Sequence, residues 1–173
     1  VSMSDEKTIN KVKLMPRETW QKSYLEKIRH NYCKDKYFTE MWGVINEYLD
    51  LNTELLFDIN KFFIFRTLQI LDIKTAVLQS SKMQLTKSKS SMLVEICQKI
   101  GGTEYVTGVG ALDYLDKSEF EKHGISILIR DPKKALTEYS CEEHRLSAID
   151  ALMKNGKNLK SKIKNLPVTE IRY

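Results

Sequence analysis

Two short stretches hold the side chains whose types and spacing could do chemistry. Ser80 and Ser81 close an apolar run, Lys82, Lys87 and Lys89 follow among serines and threonines, and Ser90 or Ser91 can cap the helix that comes next. Free backbone N–H groups, a helix dipole and lysines acting in one direction suit an anion such as a phosphate. The second stretch is Gly108-Val109-Gly110, where a ligand could approach the backbone closely. Glu95, on the intervening helix, would serve as a general base if it faced the same edge; an exposed helical glutamate is the competing reading. The loop is not a GxxxxGK[ST] phosphate loop, and the GxG pair lacks the third glycine of a dinucleotide fingerprint. His30, His123 and His144 are scattered, and no HExxH, CxxC or GxSxG pattern occurs. No metal and no cofactor is therefore expected.

These residues need elements to position them. The runs IKTAVLQSS, KSKSSMLVEICQKIGG, TEYVTGVGALDYL and GISILIR alternate strand-like and helix-like periodicity. Strands are expected at Thr75–Gln79, Glu104–Thr107 and Ile125–Ile129, with the functional edge where strands end and helices begin. Gly101 should end the intervening helix, and Asp116 with Glu119 forms a capping box for a short helix that Gly124 terminates. His123 suits the last turn of that helix, and Cys97 reads as a small core residue.

The first third is helical. Pro16 stands at a plausible first-turn position, followed by an aromatic stripe of Trp20, Tyr24, Ile28 and Tyr32, read as packing rather than as a stacking platform. Phe38, Met41, Trp42, Ile45 and Leu49 mark a second helix. Asn52 is expected to cap a third, with Leu55, Leu56, Ile59, Phe62, Phe63 and Leu68 on its apolar face. A last helix carries Leu146, Ile149, Leu152 and Met153 and stops at Asn155-Gly156. The expected fold is α/β, a helical N-terminal region packed on a small, mainly parallel sheet of about three strands with crossover helices. It is read as one domain, residues 1–173, in which residues 1–72 are helical, residues 73–156 are α/β and residues 157–173 form a basic tail.

Composition fits this picture. The 173 residues are 42% hydrophobic, enough for a real core. The net charge of +5 and pI near 9.0 permit a phosphate-bearing partner without requiring one. The tail has several lysines but little aromatic or arginine content, so a solvated surface is preferred over a nucleic-acid interface, which is not excluded. Three dispersed cysteines, Cys33, Cys97 and Cys141, and no apolar leader or span point to a reducing cytoplasm.

The run SSMLVEICQKIGGTEYVTGVGALDYL, then GISILI, LSAIDALMKNG and the earlier TWQKSYLEKIRHNYCKDKYF, resembles the WbqC-like family of bacterial proteins. The resemblance covers most of residues 8–156. It implies transfer of an amino acid such as glycine, or of an acyl group, to the amine of a nucleotide-linked amino sugar in surface-polysaccharide (O-antigen) biosynthesis. The positions matching the family are Ser80, Ser91, Glu95, Tyr105, Gly108, Tyr114, Ser147 and Asp150. Glu95, Tyr114 and Asp150 are the catalytic candidates; Ser80, Ser81, Ser91, Tyr105, Gly108, Gly110 and Ser147 are the ligand-binding ones. Each also has a structural reading, Tyr114 as a packed aromatic and Asp150 as the partner of a nearby lysine. The family's Gln-Pro-Tyr opening and its Asp-Asp and Arg-Asn motifs do not precede Thr8, and Met92 stands where an arginine is usual. The chain is accordingly expected to represent the second half to two-thirds of a member, with a non-catalytic interaction module as the alternative and a homo-oligomer as an open expectation.

Overall fold

The computed structural model describes residues 8–131, 147–164 and 169–172. The chain divides into two compact units, one of residues 1–75 and 145–165, the other of residues 76–144 and 166–173.

The first unit is helical. It comprises α1 (Gln21–Tyr32), α2 (Phe38–Leu49), α3 (Leu56–Ile70), α6 (Ala148–Asn155) and α7 (Leu159–Lys164). Its core gathers Ile28, Met41, Val44, Ile45, Leu71, Leu152, Met153 and Leu159. In α2 the apolar residues recur every three or four positions, so Met41, Val44, Ile45 and Tyr48 are buried together and Phe38 stacks on Trp42 with centroids 5.3 Å apart. The aromatic stripe of α1 is only partly core: Ile28 is buried and Tyr32 half-buried, but Tyr24 is exposed.

Two helix starts differ from expectation. Pro16 precedes a short 3-10 turn, Arg17–Thr19, and α1 begins at Gln21. Asn52 does not cap α3. The N-cap is Leu55, and Thr53 does the polar work, its Oγ1 accepting from the Leu55 N–H (3.1 Å) and donating to Asp58 Oδ2 (2.8 Å). The chain is held extended there by backbone bonds from Leu14 N–H to Glu54 O and from Leu56 N–H to Val12 O, which moves the cap off Asn52.

The second unit contains α4 (Lys89–Ile100), β1 (Glu104–Gly108), α5 (Lys117–Glu121), β2 (Ser126–Asp131) and β3 (Thr169–Arg172). β1 and β2 are parallel, with Glu104 opposite Ser126 and Gly108 opposite Arg130; β2 and β3 are antiparallel. Ile127, Leu128 and Ile129 are buried in succession, as a central strand requires. Ile127 and Ile129 build the core of this unit with Val94, Cys97, Phe120 and Ile125. The fold is thus α/β and mostly helical, as expected, but its parallel portion has two strands rather than three.

The expected strand at Thr75–Gln79 does not form. The segment carries no strand or helix, and Val77 and Leu78 are exposed. A short β-branched run becomes a strand only where it pairs with a neighbour, and this segment joins none of the three strands of the sheet β1-β2-β3. The sequence from 157 onward likewise contains α7 and β3. The segment from Lys133 to Arg145, including Cys141 and His144, lies outside the described residues.

Helix stops follow the glycines. Gly101 (φ +70) ends α4, with Gly102 N–H bonded to Cys97 O at 2.8 Å, and Gly124 (φ +66) follows α5. Asp116 caps α5, its Oδ1 accepting from Ser118 N–H (3.1 Å) and Ser118 Oγ (2.8 Å), and these bonds hold its carboxyl below the ordinary range.

Candidate functional site

In the sheet unit, the candidates Gly108 and Gly110 lie where β1 ends and the turn Val109–Ala111 begins. Gly108 and Gly110 are exposed, and a Cβ added to either would meet nothing within 4 Å. The fold therefore does not demand glycine at these two positions, and each leaves open space beside the backbone. Tyr114 follows in the same turn region, 71% exposed, with no hydrogen bond to its hydroxyl among the described residues.

α4 does not start as the serine pattern predicts. Its N-cap is Ser88, whose side chain makes no capping bond, and Lys89 follows at φ +51. Ser90 is buried, and its Oγ accepts from the Asp116 N–H at 2.9 Å, tying the start of α4 to the turn before α5. That use in packing takes Ser90 away from the helix end. Ser91 is half-buried, while Ser80 and Ser81 lie in an exposed 3-10 turn, with Ser81 Oγ accepting from Gln79 Nε2 at 2.8 Å. Lys82, Lys87 and Lys89 are exposed.

Glu95 has structural work to do. Its Oε2 accepts from the N–H groups of Thr86 (2.9 Å) and Lys87 (3.0 Å), and Lys99 lies 3.4 Å from Oε1. Lys99 in turn donates to the carbonyls of Met83 (2.8 Å) and Gln84 (2.9 Å). Successive turns of α4 thus fasten the loop 83–87 from both chemical sides. Desolvation opposes ionisation of Glu95, but the two amides and Lys99 outweigh it and hold the carboxyl below its usual range. A carboxylate so occupied is a poor general base. The pairing with Lys99 was readable from the i,i+4 spacing; the loop amides were not, because they depend on where the loop folds back.

The sign of that shift makes a prediction. A depressed carboxyl pKa contributes stability above its unfolded value, near 4.3, and that contribution is lost as pH falls through the folded value. Hydrogen-exchange protection of the Thr86 and Lys87 amides should drop over this acid range in the native protein. In Glu95→Gln it should be low already at neutral pH and insensitive to this titration.

Tyr105 is a packing residue, its ring tilted against Phe120 with centroids 5.2 Å apart. Cys97 is buried, and burial pushes its thiol up, away from nucleophile chemistry.

Ser147 and Asp150 belong to the other unit. Ser147 is the exposed N-cap of α6, without a side-chain capping bond. Asp150 is buried, 2.8 Å from Lys154 on the next turn, and its charge acts on the Tyr32 hydroxyl. Burial first, and then the negative charge of Asp150, push the Tyr32 phenol up. This is the lysine pairing expected of Asp150, extended by a tyrosine from α1. Among the described residues no cluster of three or more His, Cys, Asp or Glu could hold a metal ion, and no helix is long and apolar enough to cross a membrane.

The sequence model of the WbqC-like protein family matches residues 1–162. This chain belongs to the WbqC-like protein family. This match does not bear out the expectation that only the second half to two-thirds of a member is represented. The uncharacterized protein Rv1507c of Mycobacterium tuberculosis is 27% identical over 109 residues, a stretch that covers 62% of this chain and 47% of that protein. The chain thus spans about half the length of this relative. No solved structure matches.

Proposed function

We propose that this chain takes part in the transfer of an amino acid, such as glycine, or of an acyl group to the amine of a nucleotide-linked amino sugar in bacterial surface-polysaccharide (O-antigen) biosynthesis. The observation that carries the reading is family membership across residues 1–162. The β1 edge supports it chemically: two glycines with open space beside them and an exposed tyrosine hydroxyl suit the close approach of a polar ligand. Glu95 is left out of the reacting groups, since its oxygens are already engaged. Tyr114 is the candidate that remains available to a substrate.

A non-catalytic interaction module is the second reading. It is favoured by the engagement of both carboxylate candidates, Glu95 with the loop amides and Asp150 with Lys154 and Tyr32. Nucleic-acid binding draws less support. Lys160 is bonded to Asp72 and Lys162 to Asn155, so these lysines of the basic segment already have partners within the fold.

The test is turnover by the purified protein on a panel of nucleotide-linked amino sugars with aminoacyl and acyl donors, read by the mass of the acylated sugar. A Cβ at Gly110 meets nothing within 4 Å, so Gly110→Leu should leave the melting temperature unchanged and cut turnover by roughly tenfold or more. No product across the panel overturns the transferase reading. Full turnover in Gly110→Leu removes the β1 edge as its site.

A further inference from the structure

The sheet unit contains two pieces of strand chemistry without a partner. β1 pairs with β2 on one side, and among the described residues no strand pairs with its other side. Such a side presents a row of main-chain donors and acceptors, which native proteins blunt with lysine, proline or a bulge. β1 reads Glu-Tyr-Val-Thr-Gly, carries neither lysine nor proline, and leaves Val106 50% exposed. The other piece is the segment of residues 76–79. It has strand composition, pairs with no strand of the sheet, and leaves Val77 45% and Leu78 58% exposed.

The path of the chain explains why the two do not meet within one molecule as parallel neighbours. The carbonyls of Met83 and Gln84 accept from Lys99, and the amides of Thr86 and Lys87 donate to Glu95, one turn earlier in α4. The loop therefore runs back along α4, arriving from the C-terminal end of the helix. Three residues, 101–103, separate that end from β1, so the chain arrives where β1 begins. A parallel neighbour of β1 would have to arrive from where β1 finishes. A segment supplied by a second molecule is free of this constraint.

We propose that residues 76–79 of one copy of this chain add as a strand to the open side of β1 in a second copy, and reciprocally, forming a two-fold dimer. Main-chain hydrogen bonds hold the added strand. Val77 and Leu78 fall on opposite faces of it, one of them beside Val106. The contact runs along the flank of β1, ahead of the Gly108–Gly110 turn, and is measured without turnover, so it stands or falls apart from the transferase reading.

Light scattering coupled to size exclusion tests the full chain over a range of micromolar concentrations, and should give the mass of a dimer. Leu78→Lys and Val106→Lys change exposed positions, so each should stay folded by circular dichroism while raising the dimer dissociation constant by roughly tenfold or more. A cross-link identifies the surfaces. In a Cys33→Ser, Cys141→Ser background, chains carrying Leu78→Cys and chains carrying Val106→Cys, once mixed, should be joined by a short bis-maleimide in much greater yield than either chain with itself. A monomer at every concentration, a dimer that both lysine variants leave intact, or no preference for the mixed cross-link would each overturn the proposal.

Discussion

Replacing Gly156 by alanine is expected to lower the free energy of unfolding by about 3 kcal/mol. Two independent causes act at this residue. Its backbone lies at φ +52, ψ −141, outside the region that side chains tolerate, and a Cβ there would stand 2.4 Å from Cδ1 of Tyr37 and 2.7 Å from Cε1. The ring cannot swing away freely, because the Tyr37 hydroxyl accepts from Asn158 Nδ2 at 2.8 Å and its backbone N–H donates to Met153 O at 3.1 Å. Tyr37 leads into α2, while Gly156 joins α6 to α7, so this contact brings distant stretches of the chain together at backbone range. Urea denaturation checks the cost. In the Tyr37→Ala background the same glycine replacement should cost about 1 to 2 kcal/mol less, since the clash is gone and only the backbone strain remains. Equal costs in the two backgrounds would show that the ring plays no role.

Gly156 also illustrates what a sequence discloses. Asn155-Gly156 is legible as a helix stop because the conformational freedom of glycine is local information. The ring packed against it comes from far upstream and leaves no periodic trace. The same division runs through the chain. The apolar spacing of α2 and α4, the glycine that ends α4 and the Asp116 cap are all properties of neighbours in sequence, and they are found where expected. The segment Thr75–Gln79 has strand composition, but a strand is a relation between segments, and this one pairs with no strand of the sheet. At the candidate site, Gly108 and Gly110 could be singled out from their position after a strand. The fastening of the 83–87 loop by Glu95 and Lys99 could not, since it depends on main-chain groups that every residue carries. Ser90 shows the converse error: a hydroxyl near a helix start reads as a cap, and tertiary packing has given it to Asp116 instead.

Arg17 is the clearest case of a residue with no sequence signal and a large expected effect. Its Nη1 donates to Leu49 O at 2.9 Å, and its Nη2 donates to Leu51 O and to Thr53 O. Leu49 is the last residue of α2, where carbonyls lack intrahelical partners and the helix dipole favours a cation. The guanidinium also lies 5.7 Å from the centroid of Tyr48, itself buried in α2. One planar side chain therefore fixes the whole connection from α2 toward α3. Arg17→Ala leaves part-buried carbonyls without a donor, and with charge-assisted bonds at stake the expected loss is about 2 to 3 kcal/mol in urea denaturation. Arg17→Lys should recover less than half of it, because an ammonium group cannot reach carbonyls on both sides of a planar fork at once. Limited proteolysis provides a local readout: cleavage between residues 50 and 54 should rise sharply in Arg17→Ala and remain elevated in Arg17→Lys. If lysine restores full stability and protection, the fork geometry is irrelevant and only the positive charge near the end of α2 matters.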